Sequence, residues 1–160
     1  MSKIQYPVTP AIRFLREHRV AYEPFLYPYE EHGGTAQSAL HLGVDEHCVV
    51  KSIVLMNEQK QGMIVLMHGD LQISTKKLAR DLGMKQLEPA NATIAQKWTG
   101  YLFGGTSPFG IKSALPIYAE KSIQMLDKIY INGGKRGFLV GISPKDLMVL
   151  DVKWVEVGIS

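Results

Sequence analysis

The chain has almost no cysteine: Cys48 stands alone among 160 residues. A lone cysteine cannot close an internal disulfide, and it cannot build a Cys-rich zinc site, so the sequence points to a reducing compartment. Long apolar runs are missing as well. No stretch approaches the roughly 20 residues that a membrane-spanning helix needs. Met1 to Pro7 has no apolar run after its charge, so no signal peptide is expected. These absences predict a soluble, cytoplasmic protein. Charge of one sign is scarce: charged residues make up 21% of the chain and the net charge is +3. That is too little for a self-repelling disordered chain. It permits a nucleic-acid partner without demanding one. The usual catalytic signatures are also missing. His18, His32, His41, His47 and His68 are scattered, with no His-x-x-x-His pair, and read as surface histidines. There is no Gly-x-Ser-x-Gly elbow and no Gly-Lys-Ser/Thr phosphate loop. No metal and no cofactor are expected.

What is present suits a folded domain. Hydrophobic residues make up 46% of the chain, and 160 residues fit one domain, read as residues 1–160. Thr9-Pro10 opens a helix through Arg16, with Thr as cap and Pro in the first turn. Ala21 to Tyr29, broken by Pro24 and Pro28, reads as an irregular or edge strand. A short helix, Ala36 to Leu42, stops at Gly43. Val49 to Met56 and Gly62 to Met67 read as strands joined by a polar link of hairpin length. Ser74 caps a helix through Leu82, and residues 91–98 suggest another. Lys128 to Ile131 and Phe138 to Ile142 flank a glycine-rich tip. Ser143-Pro144-Lys145-Asp146 has a capping-box pattern for a last helix, and Val152 to Val157 closes as a strand. Helices and strands mix without strict alternation. The expected class is α+β with a mixed sheet.

Four features bear on chemistry. Lys51 interrupts an apolar strand, with Val49 and Val50 before it and Ile53 to Met56 after. An ammonium there must reach solvent, find an acid or serve a site, because burying it unpaired is costly. An edge-strand lysine that snorkels outward meets the same pattern, and both readings stay open. The run Gly100 to Gly110 lets backbone approach a ligand closely, and Ser107 can add a hydroxyl. Lys135 and Arg136 stand at a hairpin tip and could grip phosphates. Lys76, Lys77, Arg80 and Lys85 form a basic helical stretch that could lie along a nucleic-acid backbone or simply face solvent. Cys48 reads as core, pointing away from Lys51.

Three of these landmarks occur in one order: Lys51-Ser52, then Thr99-Gly100-Tyr101-Leu102-Phe103-Gly104-Gly105-Thr106-Ser107-Pro108-Phe109-Gly110, then Gly133-Gly134-Lys135-Arg136-Gly137. Together they resemble the YbaK/EbsC family, free-standing relatives of the prolyl-tRNA synthetase editing domain, over roughly residues 9 to 152. The resemblance implies an α+β domain with a mixed, barrel-like sheet flanked by short helices. It implies hydrolysis of mischarged aminoacyl-tRNA, best known for Cys-tRNA(Pro), with tRNA as partner and prolyl-tRNA synthetase as a possible second one. It places Lys51, Gly104 and Gly105 in the catalytic site. Tyr27, Ser52, Ser107, Gly110, Lys135 and Arg136 become substrate-binding candidates. In that family attack is attributed to the substrate thiol or to a water, which agrees with the missing triad. Two departures stand out. Ser52 replaces a commoner threonine, and Leu139 stands where cysteine-editing members often carry aspartate. Alternatives are a deacylase for Ala or Ser, or a non-catalytic tRNA- or synthetase-binding module.

Overall fold

Side-chain alternation along a few strands accounts for most of the architecture. In the computed structural model, which describes residues 4–160, strand β3 (Gly62–His68) sends Ile64 and Leu66 into one core and Met63, Val65 and Met67 into another. That is the period-two pattern of a strand buried on both faces. Strand β2 (Val49–Asn57) pairs antiparallel with β3, joined by the expected short link. Its Val50 and Val54 share the first core; Leu55 lies in the second.

The other strands follow in chain order around this pair. They are β1 (Glu23–Leu26), β4 (Gln72–Ile73), β5 (Leu87–Pro89), β6 (Ile117–Glu120), β7 (Ile129–Lys135), β8 (Phe138–Ile142), β9 (Lys153–Val155) and β10 (Gly158–Ile159). The main sheet runs β1-β8-β7-β2-β3-β6-β9, with β5 added on β2; β10 and β4 pair separately. The β2–β7, β3–β6 and β6–β9 pairs are parallel, so the sheet is mixed as expected. It is not closed into a barrel: β1 and β9 end an open path. The expected barrel-like form is not reached, because β1 pairs only with β8 and β9 only with β6. β1 is an edge strand, as the two prolines suggested.

Helix α1 (Pro10–Glu17) covers the first face. Its N-cap Thr9 accepts from the Ile12 N–H and donates to the Gly133 carbonyl, tying the helix start to β7. Ala11, Ile12 and Leu15 then bury against Phe138, Ile131 and Phe109. On the second face, α3 (Thr75–Asp81) sets Leu78 over the β3 side. Helix α2 (Gly34–Leu42) stands over β2 and β8, where Ala39 meets Val49 and Leu139. Helix α4 (Ala92–Thr99), capped by Asn91, leads into the glycine-rich run. The last predicted helix is a 3-10 helix, Pro144–Leu150, with its capping box intact. Further differences from the sequence reading are local. β4, β5, β6 and β10 are short strands of two to four residues and carry no sequence signal strong enough to stand out from the loops around them. Cys48 ends a 3-10 turn, Glu46–Cys48, and is half-buried there instead of lying in a strand core.

Candidate active site

The second face leaves a gap between α2 and the β8–β7–β2 part of the sheet. The gap is a cavity of about 400 Å³, within the usual range for small-ligand sites. Alternation decides what faces it. Leu139, Asn132, Lys51 and Ile53 lie on this face, and the chain before α2 brings Tyr27 and Tyr29 across it. The glycine-rich run supplies Phe103, Gly104 and Thr106 as a rim. β2 is fully buried at its ends and half-buried only at Lys51, Ser52 and Ile53, where the cavity cuts into it.

Lys51 lies inside the sheet, between β7 and β3, so the edge-strand reading falls. Its Nζ donates one long hydrogen bond, 3.4 Å, to the Gly69 carbonyl. No carboxylate forms an ion pair with it among the described residues. Burial pushes its pKa below the ordinary value, and the charges of Glu46 and Asp70 oppose that shift in part. Glu46 is itself engaged by the Thr35 hydroxyl, 2.7 Å from Oε2. The ammonium therefore faces the cavity with donor capacity to spare. Ser52 also touches the cavity, but alternation turns its hydroxyl to the opposite face, toward Val50 and Val54. Its Oγ is buried with no hydrogen-bond partner.

The two neighbouring glycines do different things. Gly104 holds φ +86, and a Cβ there would stand 2.6 Å from the Tyr29 hydroxyl. Its carbonyl accepts from Asn132 Nδ2 at 3.1 Å, and its N–H has no protein partner among the described residues. Gly105 is buried against the hairpin tip; a Cβ would meet Arg136 N at 2.9 Å. Its N–H already donates to the Leu102 carbonyl at 2.9 Å. Of the pair, only Gly104 lines the cavity, and only its amide is without a protein acceptor among the described residues.

The remaining sequence candidates are placed outside the lining. Ser107 is fully buried, and its hydroxyl accepts from the Phe109 N–H. Gly110 packs against the Pro10 carbonyl. Lys135 is exposed at the hairpin tip. Arg136 is not an idle cation: its Nε donates to the Phe103 carbonyl at 2.7 Å, and its guanidinium lies over the Tyr29 ring at 5.3 Å. Tyr29 and Asn132 were not legible as site residues. Asn132 Oδ1 accepts from Gly134 N and Lys135 N across the β7–β8 irregularity. An asparagine just before a Gly-Gly pair is the signal that could have found it.

His68 departs from the surface reading. It is fully buried, stacked on His47 with ring centroids 3.7 Å apart, and burial lowers its pKa. His47, His68 and Asp70 bring ligand-type atoms within 4.8 Å of one another. His68 has nothing left to offer an ion, however: Nδ1 lies 2.8 Å from the His47 carbonyl and Nε2 2.7 Å from Ser122 Oγ. Nδ1 must donate to the carbonyl, and burial favours the neutral ring, in which Nε2 accepts from the Ser122 hydroxyl.

With this geometry in hand, comparison with known proteins is direct. A protein of Enterococcus faecalis named EbsC, a candidate Cys-tRNA(Pro)/Cys-tRNA(Cys) deacylase, is 29% identical over 143 residues, covering 89% of this chain and 87% of that protein. A proline–tRNA ligase of Brachyspira hyodysenteriae is 33% identical over 86 residues, 54% of this chain but only 15% of the ligase. A solved structure described as a candidate trans-editing enzyme for prolyl tRNA synthetase superposes with a TM-score of 0.81 at 20% identity, covering 96% of this chain and 100% of that one. The model of the aminoacyl-tRNA editing domain matches residues 30–150, a span that takes in Lys51, Gly104 and Leu139 of the cavity lining and leaves Tyr27 and Tyr29 just before it. The chain belongs to the aminoacyl-tRNA editing domain family.

Proposed function

We propose that this chain is a cytoplasmic aminoacyl-tRNA deacylase that works in trans, as one editing domain over residues 1–160, with Cys-tRNA(Pro) as its substrate. The observation that carries the reading is Lys51: an ammonium inside a central strand, without an ion-pair partner, facing a cavity whose rim is a glycine amide. The name of the Enterococcus relative supports the substrate. The ligase match supports prolyl-tRNA synthetase as the docking partner, since a modest net charge of +3 gives weak tRNA affinity alone.

The chemistry follows from the residues. An aminoacyl ester is already activated, so the enzyme must orient it and stabilise the developing oxyanion. Lys51 holds the terminal ribose or phosphate as a point charge. The Gly104 N–H, on the cavity lining and without a protein acceptor among the described residues, is the amide assigned to the oxyanion. Tyr27 and Leu139 wall the side-chain end, sharing an apolar cluster with Val49. Water, or the substrate's own thiol, is the attacking group. The biological logic is that a synthetase pocket rejects near-isosteric amino acids by only a few kcal/mol, so a second site is needed.

Leu139 favours a second substrate reading. It puts an apolar surface where a carboxylate could have held the substrate ammonium, which suits alanine as well as cysteine. Serine is the poorer fit to that wall. The test is deacylation of Cys-, Ala-, Ser- and Pro-tRNA(Pro) with wild type and Lys51→Ala side by side. Accelerated loss of one charged species, reduced about 100-fold or more in the variant, is the expected outcome. Binding of tRNA with no acceleration of any ester would leave a non-catalytic module.

A further inference from the structure

Phe103 is the most solvent-open aromatic ring among the described residues, 69% exposed, and Leu102 beside it is 54% exposed. A large apolar side chain left in water forgoes about 1.5–3 kcal/mol of burial. Here it sits on the rim of the cavity that holds Lys51.

The stage beneath the ring is fixed from three sides. The Phe103 carbonyl accepts from Arg136 Nε at 2.7 Å, the Gly104 carbonyl accepts from Asn132 Nδ2 at 3.1 Å, and the Leu102 carbonyl accepts from Gly105 N at 2.9 Å. Arg136 is itself braced over the Tyr29 ring. Ordering a rim loop on binding costs affinity; a loop already held loses less. The neighbouring hairpin tip supplies charge of the right sign. Lys135 is exposed and has no ion-pair partner among the described residues.

A rigid exposed ring, a free lysine next to it and a cavity below match a single-stranded nucleic-acid end. Bases stack on aromatic side chains with about 1–3 kcal/mol each, and cations follow the backbone. We infer that Phe103 is a stacking platform for the unpaired base next inward from the terminal adenosine of the substrate tRNA, with Lys135 on the adjoining phosphate. The inference rests on the deacylase reading. The ring sits on the rim and not in the cavity floor, so the terminal aminoacyl-nucleoside passes it and the next base meets it. Arg136, whose Nε holds the Phe103 carbonyl, is a positioning residue for this platform.

The experiment pairs two substrates and two variants. Phe103→Ala and Phe103→Trp are compared with wild type on an aminoacyl-tRNA and on the corresponding aminoacyl-adenosine ester, which lacks the inner base. Phe103→Ala should raise KM for the tRNA about tenfold with kcat nearly unchanged, and leave the adenosine ester untouched. Phe103→Trp should retain wild-type KM. In parallel, an RNA hairpin ending in an unpaired ACCA, with 2-aminopurine in place of the penultimate base, should lose fluorescence on binding wild type and not on binding Phe103→Ala. Equal KM values on the tRNA, or equal quenching, overturn the platform. Equal loss on both substrates also overturns it, because the ring would then contact the terminal nucleoside. Wild-type quenching without turnover of any ester would sink the deacylase reading while upholding the stacking contact; neither quenching nor turnover sinks both.

Discussion

The glycine-rich run 100–110 contains two regions that share a composition and differ in their work. Tyr101, Ser107 and Phe109 are buried, and Gly110 is packed on the start of α1. The Tyr101 hydroxyl donates to the Phe109 carbonyl, closing that part of the run on itself. Leu102, Phe103 and Gly104 are exposed on the cavity rim. The buried part anchors and the exposed part meets solvent, so the rim is held without contributing to the core. Glycine frequency alone cannot tell the two apart, because one glycine is demanded by a close-packed backbone and the next by a left-handed turn.

That contrast can be broken by substitution. The largest effect should come from the anchor. Phe109→Ala removes a fully buried ring that packs on Phe14, and should cost about 3–5 kcal/mol in urea unfolding. If the midpoint moves by less than a third of that, the anchor is not what holds the run. Tyr101→Phe is milder. It leaves the buried Phe109 carbonyl without its donor and should cost about 1–2 kcal/mol, with KM for substrate little changed. The smallest stability effect should come from the cavity. Burial depresses the Lys51 pKa below its ordinary 10.5, so the unfolded chain keeps that proton to higher pH than the folded one. The charged lysine therefore costs stability at neutral pH, and the cost fades as pH rises toward 10.5. Lys51→Met should melt at or slightly above wild type at pH 7, with the gap narrowing in alkali, while deacylation is lost. A variant that melts well below wild type would make Lys51 a structural residue.

Much of this is readable in the sequence. Val49 to Met56 and Gly62 to Met67 declared themselves by continuous apolar residues, and the structure places strands at Val49–Asn57 and Gly62–His68. Thr9, Ser74 and Asn91 cap helices through their side chains, as short polar residues before apolar periodicity do. The central place of Lys51 was not readable. It depends on β7 lying parallel beside β2, a pairing between residues such as Val49 and Tyr130 that no local pattern encodes. Arg136 has a second use that was not legible for a related reason. A cation at a hairpin tip suggests phosphate, and only the folded tip shows its Nε donating to the Phe103 carbonyl. His68 misled because its partners, the His47 carbonyl and Ser122, come from distant parts of the chain.

The pairing of β1 with β8, Glu23 opposite Gly141, carries a consequence for the birth of the protein. The cavity walls come from Tyr27, Lys51, Gly104 and Leu139, so its last wall is made long after its first. A ribosome extending the chain N-terminus first cannot display a working cavity early. Contacts so far apart in sequence also slow the search for the native pairing. Until β8 arrives, β1 is a strand without its partner and in need of shelter.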